Sequence, residues 1–292
     1  MSPEGRKPAW LRVGIPHGRQ WLGMDRLLAR RGLHTVCDEA ACPNKAECWG
    51  CGTATFMVLG DACTRGCSFC AVATARRGAP VDAGEPERLA GAVRELGLRY
   101  VVITSVDRDD LDDRGAAHFA ACVSAVRALN PEARVEVLIP DFRGPEMETL
   151  AASRPDVVAH NVETVRRLQG VRDARAGFDL SLRTLREAKA AGFATKSSLM
   201  LGLGETREEI LEAMDGLRSV GCDILVMGQY LRPTPRQVPV AEYLEPARFD
   251  ELAGLARGKG FSAVVSAPLA RTSYHAREGF AAARPEPAGG SA

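Results

Sequence analysis

From Thr53 onward the chain alternates between two hydrophobic patterns. Short β-branched or aliphatic runs read as strands: TATFMVLG at 53–60, RYVVITSV at 99–106, RVEVLIP at 134–140, DVVAHNV at 156–162, ATKSSLMLGL at 194–203 and DILVMGQY at 223–230. Between them, EPERLAGAVRELG (85–97), GAAHFAACVSAVRAL (115–129), DLSLRTLREAKAAG (179–192) and TREEILEAMDGLRSVG (206–221) space their apolar residues for helices, with acidic residues weighted toward the starts. Strands alternating with helices through right-handed crossovers predict a parallel sheet. Six such strands precede the proline-rich YLRPTPRQVP at 230–239. The expected fold class is therefore α/β, a partial (β/α)6 TIM-type barrel, with SAVVSAP at 262–268 as a peripheral or additional strand. A closed eight-unit barrel would need more units than the pattern supplies.

Polar residues collect at the carboxyl ends of these strands, the face on which parallel barrels carry their chemistry. They are Thr104, Ser105 and Asp107 after the second strand, Asn161 and Glu163 after the fourth, Lys196 within an otherwise apolar strand, and Gln229. Lysine is costly to bury without a partner, which marks Lys196 for attention. The expected organisation is an N-terminal extension over 1–52, the barrel over 53–267 and a C-terminal extension over 268–292, both extensions capping the mouth. The last stretch, AAARPEPAGGSA, reads as disordered.

Composition narrows the function without naming it. The 292 residues suit one core, and no apolar run is long enough to span a bilayer. A net charge of +1 argues against nucleic acid or an anionic membrane as partner. The 38 basic residues include 33 arginines, a compositional bias that lowers the weight of any arginine cluster. The first residues lack the apolar core of a secretory signal, so the cytoplasm is the expected compartment. Nine cysteines, an odd number, then favour metal or catalytic thiols over a disulfide framework.

Six of those cysteines form two triplets: Cys37, Cys42 and Cys48 spaced C-x4-C-x5-C, then Cys63, Cys67 and Cys70 spaced C-x3-C-x2-C. Such spacings suit iron–sulfur ligation, and three thiolates leave one iron of a 4Fe–4S cube open to another ligand. Structural zinc with a distant fourth ligand is the competing reading for the second triplet, and a second zinc or a purely structural cluster for the first. Cys51 packs beneath the cluster loop or serves as an extra ligand, whereas Cys122 and Cys222, among apolar neighbours, read as inert core residues.

The segment DACTRGCSFCAV at 61–72, with Phe69 before the last cysteine, resembles the signature of the radical S-adenosylmethionine (SAM) enzymes. CDEAACPNKAEC at 37–48 with Trp49, GTATFMVLGD, YVVITSVDRDDL, HNVETV, SLRTLREAK, LMLGLGET, YLRPTP and RTSYHA resemble the lipoyl synthase family, a likeness running from about Trp10 to Gly279. The resemblance implies the barrel of the radical SAM kind, two 4Fe–4S clusters and SAM as cofactors. The cluster on Cys63, Cys67 and Cys70 would bind SAM through its open iron and generate a 5′-deoxyadenosyl radical. An auxiliary cluster on Cys37, Cys42, Cys48 and Ser273 would give up sulfur to C6 and C8 of an octanoyl chain.

Further expectations follow from the same resemblance. Ser273 matches the ligand serine of the family's R-S-S-Y motif, here Arg271, Thr272, Ser273 and Tyr274, and Ser273 with Arg271 is assigned to the reacting centre. Thr104, Ser105 and Asp107 are candidates for the SAM amino group, Asn161 and Glu163 for ribose hydroxyls, and Lys196 for the SAM carboxylate; Gln229 completes the cofactor set. LGLGE is weak as a phosphate cradle and better suited to close backbone approach to adenine. The chain departs from the family at Thr272 in place of serine, and at Arg114 and Ser198 in positions where glycine is usual. His160 and His275 read as hydrogen-bonded structural imidazoles. Expected partners are an octanoylated lipoyl carrier domain (2-oxoacid dehydrogenase E2 or glycine cleavage H protein), an electron donor and an iron–sulfur repair protein. The rivals are another radical SAM enzyme using its auxiliary cluster for electron transfer or anchoring, and an iron–sulfur carrier or zinc-stabilised interaction module.

Overall fold

The computed structural model describes residues 7–12, 26–36, 44, 54–273 and 276–283. Cys37, Cys42, Cys48, Cys51, Trp49, Tyr274 and His275 lie outside these described residues. The main sheet has eight strands in the order β1-β2-β5-β6-β7-β8-β9-β10. Its parallel members are β2 (Ala54–Val58), β5 (Tyr100–Ser105), β6 (Arg134–Leu138), β7 (Val157–Ala159), β8 (Ala194–Leu201), β9 (Ile224–Gln229) and β10 (Ala263–Ser266). The first six are the six strands expected from the pattern, and β10 is the additional one. No pairing among the described residues joins the two ends of this order.

Two short features were not visible in the pattern. β1 (His34–Thr35) pairs antiparallel to β2 and extends the first edge, and β3 (Ala62–Cys63) pairs with β4 (Ala73–Thr74) around the second cysteine triplet.

Helices α1 (Glu85–Leu96), α2 (Ala116–Leu129), α3 (Pro145–Ala152), α4 (Phe178–Ala190), α5 (Arg207–Ser219) and α6 (Pro246–Gly258) cover one side of the sheet. Their starts are defined by sequence: proline in the first turn of α1, α3 and α6, and at α5 a capping box in which Thr206 accepts from the Glu209 amide while Glu209 accepts from that of Thr206. Alternation along each strand then sorts the side chains. On β5, Val101 and Ile103 are fully buried in the core shared with α1 and α2, whereas Val102 and Thr104 face a cavity on the concave side. Leu199, Leu225 and Met227 join the corresponding core beneath α4, α5 and α6. Cys122 and Cys222 are fully buried in these cores, and burial pushes the Cys222 thiol up to about 12, as expected of inert packing residues.

After β10 the chain turns back across the concave side. A Cβ on Gly228, near the carboxyl end of β9, would sit 2.0 Å from the carbonyl oxygen of Ala270, so only glycine lets the strap pass. The strap then runs through Arg271, Thr272 and Ser273 along the cavity and leads to α7 (Ala276–Ala283). There Ala276 packs with Tyr100 and Val102, and the Phe280 ring lies 6.2 Å from that of Tyr100.

Candidate active site

The concave cavity has a volume of about 580 Å³, within the range of small-molecule sites, and opens at the carboxyl ends of the strands. Its wall holds Cys63, Cys67 and Cys70 together with Thr104, Ser105, Asp107, Asn161, Glu163 and Gln229, and it also holds Arg271, Thr272 and Ser273. Of the described candidates only Lys196 lies off this wall.

The cysteine loop is held by four other loops. Thr64 donates from its amide and its hydroxyl to the Asp107 carbonyl, both at 2.9 Å. Ser68 binds the carbonyl of Val171 through both its amide and its hydroxyl, and the Gly66 amide donates to Asp173 at 2.9 Å. From the far side Gln237 donates to the Cys70 carbonyl at 3.0 Å. Arg65, between the first two cysteines and 6 % exposed, gathers three carboxylates: a fork to Asp109 with both bonds at 2.9 Å, a contact with Asp107 at 3.4 Å, and a short bond to Asp141. Burial alone would raise the Asp141 carboxyl, but His160 and Arg65 hold it well below its ordinary value. His160 itself is fixed by the Ile139 carbonyl at 2.9 Å and the Ser181 hydroxyl at 2.8 Å, a structural imidazole as expected.

Burial pushes the thiols of Cys63 and Cys67 up to about 11 and raises Cys70 as well. Backbone amides oppose this: Arg65 N–H donates to Cys63 Sγ at 3.4 Å and Asp173 N–H to Cys67 Sγ at 3.3 Å. Half-buried thiols of raised pKa with amides aimed at their sulfurs suit metal coordination, which deprotonates a thiol outright. Among the described residues no group of three His, Cys, Asp or Glu side chains is placed to hold a single metal ion. The Ser105 hydroxyl is buried in the cavity wall without a partner, an orphan that a polar ligand would satisfy. The residues present thus fit a three-cysteine iron–sulfur cluster beside a polar small molecule.

Each remaining candidate has a defined place. Thr104 Oγ1 donates to the Leu138 carbonyl at 2.9 Å, leaving its oxygen free to accept. Asp107 lies 3.9 Å from Cys63 Sγ; burial raises its carboxyl, with Arg65 opposing. Glu163 has φ +65°, unusual for a non-glycine residue, and is held by a bridge to Leu199 on β8. Burial raises its carboxyl, while Arg172 and a hydrogen bond from Asn161 act against this.

Two expectations find no support. Gln229 Nε2 lies within hydrogen-bonding distance of the carbonyls of Leu201, Tyr230 and Glu242, and its oxygen accepts from the Leu244 amide, so its amide is committed to backbone. Lys196, 1 % exposed, donates to both oxygens of Glu136 at 2.9 and 3.1 Å, and Glu136 accepts from Tyr100 at 2.7 Å. This group forms a layer beneath the cavity: Glu136 and Lys196 stand one inward position before the cavity-lining Leu138 and Ser198. The charge that made Lys196 look like a ligand is already neutralised. Conversely, sequence reasoning missed Arg65, Asp109, Asp141 and Asp173, which assemble only when four loops meet.

The departures at Arg114 and Ser198 also become intelligible. Arg114 has φ +52°, the region glycine favours, and returns a hydrogen bond from its guanidinium to the Asp141 carbonyl at 2.9 Å. Ser198, on β8, meets Thr272 with oxygens 3.1 Å apart.

The chain is a radical SAM protein: the model of the Radical SAM superfamily matches residues 57–217, more than half its length, and covers the cysteine loop and strands β5 to β8. Lipoyl synthase of Methylococcus capsulatus is 57% identical over 278 residues, covering 93% of this chain and 85% of that protein. Lipoyl synthase of Thermus thermophilus is 51% identical over 94% of this chain and 86% of the relative, and the chloroplastic lipoyl synthase of Arabidopsis thaliana is 51% identical over 96% and 73%. The chain belongs to the lipoyl synthase family. Among solved structures it shares the fold of the FeFe-hydrogenase maturase HydG from Carboxydothermus hydrogenoformans (TM-score 0.60, 17% identity, 79% of this chain and 56% of that one) and of methylornithine synthase (TM-score 0.58, 15% identity, 83% and 70%). No helix among the described residues is long and apolar enough to cross a membrane.

Proposed function

We propose that this enzyme inserts two sulfur atoms, at C6 and C8, into an octanoyl chain carried by a lipoyl domain, and that the sulfur comes from its own auxiliary 4Fe–4S cluster. Cys63, Cys67 and Cys70 would hold the cluster that binds SAM; Cys37, Cys42, Cys48 and Ser273 would hold the auxiliary one. When bound, the first cluster and SAM supply hydrogen-atom abstraction from unactivated carbon, and the second supplies sulfide. The observation that carries this reading is that Ser273 and the three-cysteine loop line one cavity. Asn44, which stands between Cys42 and Cys48 in sequence, donates to the Leu269 carbonyl at 2.5 Å and so ties the first triplet's segment to the strap that carries Ser273.

The chain's own residues do the rest. Asp107 and the free lone pairs of Thr104 and Ser105 offer acceptors to an ammonium group, and Asn161 with Glu163 offers a donor–acceptor pair to ribose hydroxyls. The raised Glu163 carboxyl suits it to a neutral diol rather than a cation. Val36, Met57, Val102, Leu138 and Val226 give the cavity apolar wall against which an alkyl chain can lie and from which water is excluded. Arg65 fixes the cysteine loop through its three carboxylates. Arg271 flanks the serine ligand, its guanidinium donating to the Ala270 carbonyl at 2.6 Å, and so holds the strap's approach to the cavity. Domain limits of 1–52, 53–267 and 268–292 fit this division, the central part holding the SAM site and the two extensions the auxiliary one. An octanoylated carrier docks at the rim, an external donor supplies electrons, a repair protein rebuilds the spent cluster, and the cytoplasm is the proposed compartment.

The test is anaerobic turnover of an octanoylated peptide followed by mass analysis, comparing the parent with Cys42→Ala. The parent gains two sulfurs per octanoyl; the variant still cleaves SAM and gains none. Sulfur insertion that survives Cys42→Ala would overturn the assignment of the donor.

A further inference from the structure

The strap residue next to the proposed serine ligand occupies an unusual junction. Asn161 Nδ2 donates to Thr272 Oγ1 at 3.0 Å, and Thr272 Oγ1 lies 3.1 Å from Ser198 Oγ on β8. The same oxygen is 3.3 Å from Asn161 Oδ1, but one hydroxyl carries one hydrogen. With Asn161 donating one amide hydrogen to Thr272 and Thr272 donating to Ser198, the second amide hydrogen and the carbonyl oxygen of Asn161 stay available on the cavity side. Asn161, which lines the cavity together with Glu163, therefore joins the proposed ribose position to the residue preceding Ser273. On either side the strap is held by unrelated means, by Ala270 against Gly228 and by α7 against Tyr100.

We propose that Thr272 is a positioning residue that couples occupancy of the SAM site to the placement of Ser273. On the reading above, the SAM site and the strap are thermodynamically linked. A ribose held between Asn161 and Glu163 restricts the Asn161 side chain, and an ordered Asn161 offers Thr272 a fixed donor, so the strap tightens with no change of fold. The same coupling must act in reverse, and removing the Thr272 hydroxyl must weaken SAM binding. Loss of one hydrogen bond of ordinary strength corresponds to about fivefold in affinity. The device makes chemical sense in a protein whose auxiliary cluster is consumed: the serine is held firmly only when the radical source is loaded.

The experiment uses the anaerobically reconstituted, unreduced holoenzyme, in which SAM binds without being cleaved. SAM affinity is read by equilibrium dialysis, and hydrogen exchange is followed by mass spectrometry in the peptide spanning 266–273, for the parent, Thr272→Val, Thr272→Ser and Ser198→Ala. In the parent, saturating SAM slows exchange in this peptide about fivefold. Thr272→Val binds SAM about fivefold more weakly and loses that protection, whereas Thr272→Ser keeps both properties. Ser198→Ala, a milder change should the valine variant fold poorly, halves the protection or more. A valine variant that matches the parent in affinity and protection overturns the proposal, as does a parent that binds SAM but leaves the strap unprotected. A parent that fails to bind SAM at all is read directly from the dialysis and sinks the functional reading itself.

Discussion

The mouth of the cavity and the layer just beneath it both keep charges away from water, yet their arrangements differ. Beneath, Lys196, Glu136 and Tyr100 satisfy one another completely, and none reaches the cavity. At the mouth, Asp107, Asn161 and Glu163 face the open space, and the Ser105 hydroxyl has no partner. Burial of a charge thus does not mark a binding site; unmet bonding capacity toward a cavity does. A buried pair is retained at a cost in desolvation and contributes mainly when one partner is removed, which exposes the other to an apolar surrounding.

Four perturbations sharpen that contrast. The largest effect belongs to the mouth: Cys67→Ala should reduce 5′-deoxyadenosine formation to background, a loss of about a thousandfold or more, with iron content falling by one cluster. Next is Gly228→Ala. Its methyl would collide with the Ala270 carbonyl and displace the strap, so sulfur insertion should fall about a hundredfold while SAM cleavage measured at saturating SAM changes by no more than about twofold. Equal loss of both activities would mean that the strap serves the whole cavity.

In the layer beneath, Lys196→Met leaves Glu136 uncompensated and should cost about 3–5 kcal/mol in denaturant unfolding, with SAM affinity changed by no more than about twofold. The double variant Lys196→Met with Glu136→Leu should regain most of that stability. A drop of about tenfold in SAM affinity, equivalent to 1.4 kcal/mol, would instead return Lys196 to the cofactor site. The smallest effect is expected at the surface: Arg166 and Asp179 form a forked pair whose side chains are 60 and 76% exposed, and Arg166→Ala should shift stability by less than about 1 kcal/mol.

Much of this was legible in the chain. Six parallel strands and the seventh beyond the proline-rich segment could be read from alternating runs, because parallel strands and amphipathic helices have different periods. The cysteine spacing announced itself. What could not be read was anything that depends on which loops meet. Arg65 lies inside the cysteine motif, but its aspartates come from positions 107, 109 and 141, and no local pattern links them. Lys196 was legible as anomalous, and the correction was available too: Glu136 interrupts RVEVLIP as Lys196 interrupts ATKSSLML, two opposite charges on inward positions of strands separated only by β7. Gly228, an isolated glycine in an apolar strand, signalled a close backbone approach without saying whose. Gln229 stood at a strand end like a ligand, but backbone carbonyls from later in the chain claim it.

The central claim is that one cavity brings an alkyl chain to a sulfur source carried by the protein itself. It is tested most directly by building both clusters with heavy-isotope sulfide, removing the excess, and allowing a single turnover of an octanoylated peptide in buffer containing ordinary sulfide. Two heavy sulfurs in each product molecule are predicted. Product carrying ordinary sulfur, formed while the protein's own label stays in place, would contradict the account.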